Sequence, residues 1–123
     1  MSLFEECKEA LKNDFQIIED SKEVIAKLNI YPIHLNSIIW TNMDFREFDD
    51  MDELLKYVQE FQDTVVYVVA DDKDIPIFTS TLNAVIENIY DVMALSPKVF
   101  IFNNEVILEP LFPSYNIRVA LNH

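Results

Sequence analysis

Glycine is absent from all 123 residues, and that absence excludes more than any residue present. The glycine-rich phosphate loop and the dinucleotide fingerprint both need positions without a Cβ where backbone approaches phosphate. Neither a standard P-loop nor a Rossmann cofactor site can be built from this chain. Cysteine occurs once, as Cys7, so no intramolecular disulfide and no thiolate zinc cluster can form within the chain, which fits a reducing compartment. No stretch approaches the roughly 18 uninterrupted apolar residues of a membrane helix. The start, Met1-Ser2-Leu3-Phe4-Glu5-Glu6, is acidic where a secretory signal is basic and then apolar. These absences predict a soluble, cytoplasmic protein.

Positive charge is also scarce: 9 Lys and Arg stand against 22 Asp and Glu, a formal charge of −13. Binding to DNA, RNA or an anionic membrane requires cations that neutralise phosphate, so the balance argues against all three and makes a basic protein the natural complement. The imbalance is concentrated in the middle. From Asp44 to Asp74 eleven acids face only Arg46, Lys56 and Lys73, a net of −8, whereas the flanking segments carry −3 and −2. Such a run is either a solvated face that maintains solubility or a contact surface. Half of the residues are hydrophobic, enough for one packed core and against global disorder. The length predicts a single globular domain over 1–123, since domains typically hold roughly 100 to 150 residues.

Along the chain, Leu3, Phe4, Cys7, Leu11, Phe15 and Ile18 recur at three and four, which predicts a helix over about 2–18. Asp20 with Glu23 forms a capping box for a second helical piece ending near Leu28 or Asn29, before Pro32. Ile33 to Trp40 reads as a strand and Thr41 to Asp49 as a loop. Asp50 and Glu53 form another capping box, followed by the stripe Met51, Leu54, Leu55, Val58 and Phe61, which predicts a helix over 50–62. The continuous run Thr64 to Ala70 reads as a strand buried on both faces. Thr79 or Ser80 is expected to cap a helix carrying Leu82, Val85, Ile86, Ile89, Tyr90 and Met93, closed by Pro97. Val99–Phe102 and Val106–Leu108 flank Asn103-Asn104, where asparagine tolerates the positive φ of a tight turn. Tyr115, Ile117, Val119 and Leu121 alternate as a half-buried strand does. The fold class expected is α/β or α+β, a mixed β-sheet with helices packed on it and a C-terminal antiparallel hairpin.

Chemistry has few places to reside. Asp71, Asp72 and Asp74 follow a buried strand and could supply hard oxygen ligands to Mg²⁺, yet only Lys73 is near to meet a substrate phosphate. A solvated turn or a partner contact are the other readings of that turn. His34 in its strand reads as a surface or hydrogen-bonded structural residue, and His123 as a mobile terminal one. Cys7 lies on an apolar stripe beside Glu5, Glu6 and Glu9, the reverse of the electropositive setting a reactive thiol needs. From Trp40 to Asp50, the apolar Trp40, Met43, Phe45 and Phe48 interleave with Asp44, Glu47, Asp49 and Asp50. These apolar side chains either fold back as lids on the core or act as anchors inside a charged rim.

A small, glycine-free, strongly acidic chain with this element order and no catalytic constellation resembles the immunity proteins of bacterial contact-dependent growth inhibition toxin systems. That resemblance covers the whole chain as size, charge and element order. It implies a non-enzymatic inhibitor, without cofactor, metal or catalytic residues, that neutralises a basic, nuclease-type toxin by stoichiometric occlusion. The physics beside it is independent: a nuclease surface is basic because it grips phosphates, and an acidic protein binds it quickly. The expected contact set is Asp44, Phe45, Glu47, Phe48, Asp49, Asp50, Asp52, Glu53, Asp71, Asp72 and Asp74. Two other readings stand beside it: a nucleic-acid mimic that inhibits a host or defence protein, and a small metal-dependent hydrolase using Asp71, Asp72 and Asp74.

Overall fold

A computed structural model of the protein describes residues 2–12 and 14–122; His123 lies outside the described residues. In chain order the elements are α1 (Leu3–Leu11), β1 (Gln16–Ile17), α2 (Ser21–Leu28), β2 (Ile33–His34), β3 (Ser37–Ile38), β4 (Phe45–Phe48), α3 (Met51–Tyr57), β5 (Val65–Ala70), β6 (Phe78–Thr81), α4 (Leu82–Glu87), α5 (Ile89–Met93), β7 (Val99–Phe102), β8 (Val106–Pro110) and β9 (Ile117–Leu121). Single 3-10 turns occupy Trp40–Asn42 and Gln59–Phe61. Seven strands form one sheet in the order β1-β6-β5-β7-β8-β9-β4, and β2 pairs with β3 in a separate hairpin. Every pairing among the described residues is antiparallel. The architecture is therefore α+β, with the C-terminal hairpin β8–β9 inside the sheet.

The alternation of the strands divides the core in two. Val66, Val68, Ile101, Leu108, Ile117 and Val119 point to one face, where they pack with Cys7, Leu54, Val85, Ile86 and Val92 from the helices α1, α3, α4 and α5. Phe100, Phe102, Ile107 and Ala120 point to the other, where Val24 and Leu28 of α2, Tyr31, Ile38 and Trp40 cover them. The strand β5 is buried on its helical side through Val66 and Val68, whereas on its other face Tyr67 and Val69 are half-buried and Val65 is exposed, so the burial on both faces that its unbroken apolar run predicts is found on one. Asp20 caps α2 by accepting from the Glu23 amide at 3.3 Å. Asp50 caps α3 by accepting from the amides of Asp52 and Glu53 at 2.9 and 3.4 Å.

Several elements differ from the sequence expectation. The first helix stops at Leu11, because Lys12 turns to φ 52° with its N–H donating to Lys8 O. Phe15 then stacks on Phe78 with ring centroids 4.8 Å apart, and Gln16–Ile17 pair with β6. Ile33–Trp40 is not one strand. It folds into the hairpin β2–β3 with Leu35 and Asn36 both at positive φ, 52° and 63°, the two-residue turn that normally recruits glycine. A left-handed leucine costs about 1 kcal/mol. Thr41–Asp49 contains a strand, β4, and Phe78–Thr81 contains another, β6, so neither Thr79 nor Ser80 caps α4. Thr81 does, accepting from the Ala84 amide at 3.2 Å. The helix after it breaks at Asn88 into α4 and α5. Asn103 and Asn104 need no positive φ, because the Asn103 side chain closes the turn: Oδ1 accepts from the Glu105 and Val106 amides, while Nδ2 donates to Thr64 Oγ1 and Val65 O.

Candidate functional site

The registers place the acidic segments. Ala70 pairs with Val99, and Phe48 pairs with Ile117 beside Pro110. Asp71, Asp72 and Asp74, which follow β5, and Asp49 and Asp50, which follow β4, therefore emerge at the same end of the sheet. They are not adjacent. β7, β8 and β9 lie between β5 and β4, a lateral span of about 19 Å at a strand spacing of roughly 4.8 Å. Asp44 precedes Phe45, which pairs with Ala120 near the opposite end, so it stands apart from the other acids.

The aromatic residues divide by burial. Trp40 is buried and donates from Nε1 to Glu109 Oε1 at 2.9 Å. Phe48 packs against the helical-side core with Tyr57, ring centroids 5.3 Å apart. Both serve as lids on the core. Phe45 is partly exposed, edge-on to Trp40, with the Arg118 guanidinium 5.1 Å from its ring centroid. Glu47 accepts from Asn116 Nδ2 at 2.8 Å and from Arg118 Nε at 3.2 Å, and those two bonds, the Asn116 one first, hold its carboxyl below the usual range. Its charge is therefore partly answered within the protein.

Asp49, Asp50, Asp52 and Glu53 are exposed. The first three line a depression with Met51 and Tyr90. Tyr90 also lines a cleft of about 510 Å³ together with Met93, Phe112, Pro113 and Tyr115, between α5 and the loop joining β8 to β9. Tyr90, Phe112 and Tyr115 are 63%, 60% and 65% exposed. The rings of Tyr90 and Tyr115 meet edge to face at 5.3 Å. An acidic rim and an aromatic cleft thus share one residue, Tyr90.

Sequence reasoning missed this cleft. It placed Tyr90 on the core stripe of one continuous helix and Tyr115 at the start of a half-buried strand. In the structure the break at Asn88 turns Tyr90 outward, and β9 begins only at Ile117. One signal was present in the sequence: Phe112 and Tyr115 flank Pro113 and Ser114 in a loop, where large apolar side chains have no strand partner to cover them.

The remaining candidates carry less. In the Asp71–Asp74 turn, Asp72 Oδ1 accepts from the Asp74 amide at 2.9 Å. Among the described residues no group of three or more His, Cys, Asp or Glu side chains is arranged to hold a metal ion. His34 is exposed on β2. Cys7 is fully buried, and burial first, with the charge of Asp91 second, pushes its thiol up to about 12. Among the described residues no helix is long and apolar enough to cross a membrane.

A family model described as CdiI immunity protein EcoliA0-like matches residues 1–120. No curated protein matches the chain.

Proposed function

The chain belongs to the EcoliA0-like CdiI immunity proteins of bacterial contact-dependent inhibition, and from that premise we propose that it neutralises a basic toxin domain, a nuclease, by stoichiometric occlusion in the cytoplasm. The observation that carries the finer reading is the end of the sheet where Asp49, Asp50 and Asp52 rim a depression that continues into exposed aromatic side chains. Carboxylates steer a basic surface into register, and apolar anchors inside the rim supply buried area. Glu53 adds to this rim, and Asp71, Asp72 and Asp74 extend the acidic end laterally. Phe45 and Glu47, tied to Arg118, and Asp44 at the far end contribute less. Phe48 acts through the core. The protein acts as a binder and not as a catalyst.

The test is a stopped-flow measurement of association with the cognate toxin domain. The association rate falls as salt rises from 50 to 500 mM, because exposed charges are screened beyond a Debye length of about 8 Å at physiological ionic strength. A rate indifferent to salt sinks the electrostatic reading. Incubated alone with Mg²⁺ or Mn²⁺, the protein leaves nucleic acids and phosphate esters intact. A turnover abolished by Asp72→Asn without unfolding would restore the hydrolase.

A further inference from the structure

We propose that the cleft between α5 and the β8–β9 loop receives an arginine side chain of the toxin, its guanidinium held against the faces of Tyr90 and Tyr115 and drawn in by Asp49 and Asp52. This rests on the reading of the partner as a basic protein and names what enters the site. The molecule itself supplies the argument. Among the described residues, four aromatic rings are covered by the chain's own cations: Lys8 over Phe15, Lys27 over Tyr67, Arg46 over Tyr57 and Arg118 over Phe45, at 5.9, 5.5, 5.2 and 5.1 Å from the ring centroids. Tyr90, Phe112 and Tyr115 are the most exposed aromatic residues described, and among the described residues no cation covers them. They are the rings at which a cation from outside can sit.

The surroundings select for that charge. Among the described residues none that lines the cleft or the adjoining depression is basic, and Asp49, Asp50 and Asp52 line the depression with Tyr90. A ring face attracts a cation through its quadrupole, and the attraction strengthens when the pair is taken out of water. Arginine suits the site better than lysine, because its planar guanidinium stacks on a ring while its remaining N–H groups donate to carboxylates. The edge-to-face contact of Tyr90 with Tyr115 at 88° offers two ring surfaces at a right angle, so one guanidinium can stack on one face and present its edge to the other. Asp50 is held by its cap on α3, which leaves Asp49 and Asp52 as the acids free to turn towards it. A cleft of about 510 Å³ has room for one such side chain.

The experiment measures the affinity of the protein for its cognate toxin domain, with melting temperature recorded for each variant. Tyr90→Ala and Tyr115→Ala each weaken binding about tenfold, the order expected for a partly desolvated cation on an aromatic face. Tyr90→Phe and Tyr115→Phe, which keep the ring, restore the affinity, whereas Tyr90→Leu and Tyr115→Leu, which keep apolar area without a ring quadrupole, do not. Leucine variants that bind as tightly as the parent overturn the proposal, since the cleft then takes an apolar side chain. So do alanine variants of unchanged affinity. The wider reading fails separately: it falls if Asp49→Lys with Asp52→Lys and added salt leave association untouched, whatever the tyrosine variants do.

Discussion

Arg118 on β9 donates from Nε to Glu47 Oε1 on β4 at 3.2 Å and lays its guanidinium 5.1 Å from the ring of Phe45 on the same strand. The cross-strand register, Glu47 opposite Arg118, is what makes the contact. One edge strand of the sheet, β4, is therefore fastened by a charge pair and a ring, and the exposed Asp49 and Asp52 follow it at the start of α3. The acid that fastens the strand and the acids proposed to steer a partner are thus different residues, which lets each role be tested alone.

Acid should loosen β4 before it loosens the rest of the sheet. Because hydrogen bonds from Asn116 and Arg118 lower the Glu47 carboxyl in the folded protein, its contribution is present above the ordinary carboxylate value of about 4.3 and is lost as pH falls through the lower folded value. Amide protection factors in Phe45–Phe48, each referred to the intrinsic exchange rate at its own pH, should fall more than those in β5 between pH 6 and pH 3, and Glu47→Gln should already show the lower protection at pH 6. An equal loss of protection in both strands removes Glu47 as the fastener.

Charge and packing should part at the β4–α3 junction. Asp49→Lys with Asp52→Lys should slow association with the toxin domain and leave the melting temperature nearly unchanged. Asp50 is a poor choice for this test, because its carboxylate caps α3 and losing a cap costs about 1 kcal/mol. Phe48→Ala should instead cost about 2 kcal/mol of stability through lost burial, with affinity per folded molecule unchanged. A Phe48→Ala variant that melts like the parent but binds weakly would return Phe48 to the interface.

Val66 on β5 is fully buried in the helical-side core. Val66→Asp places an unpaired carboxylate there at a cost of several kcal/mol, a large part of the roughly 5 to 15 kcal/mol that stabilises a typical domain. Urea denaturation should show a collapsed midpoint or no folded baseline.

Cys7 should be inert to a thiol reagent at pH 8. Its thiol, pushed up to about 12 by burial and then by Asp91, stays protonated in the native state, so modification should follow the rate of unfolding rather than reagent concentration. A stoichiometric reaction within the dead time, in protein that remains folded, would contradict the placement of α1.

What the sequence determined by itself was whatever depends on neighbours along the chain. Zero glycines exclude a standard phosphate loop, and a charge of −13 sets the expectation of a basic partner, both without reference to any fold. The caps at Asp20 and Asp50 act within a single helical turn, and β5 announces itself because both of its faces are apolar. The tertiary structure decided what depends on residues far apart. Gln16–Ile17, Phe45–Phe48 and Phe78–Thr81 are strands because β6, β9 and β5 offer them hydrogen-bonding partners; little in their own patterns requires it. Trp40 and Phe48 are lids because the two core clusters stand beneath them, while Tyr90, Phe112 and Tyr115 meet outside because α5 and the β8–β9 loop reach the same end of the sheet. Local patterns are set by contacts a turn or a strand residue away, whereas exposure and convergence are properties of a surface that exists only after distant segments have packed.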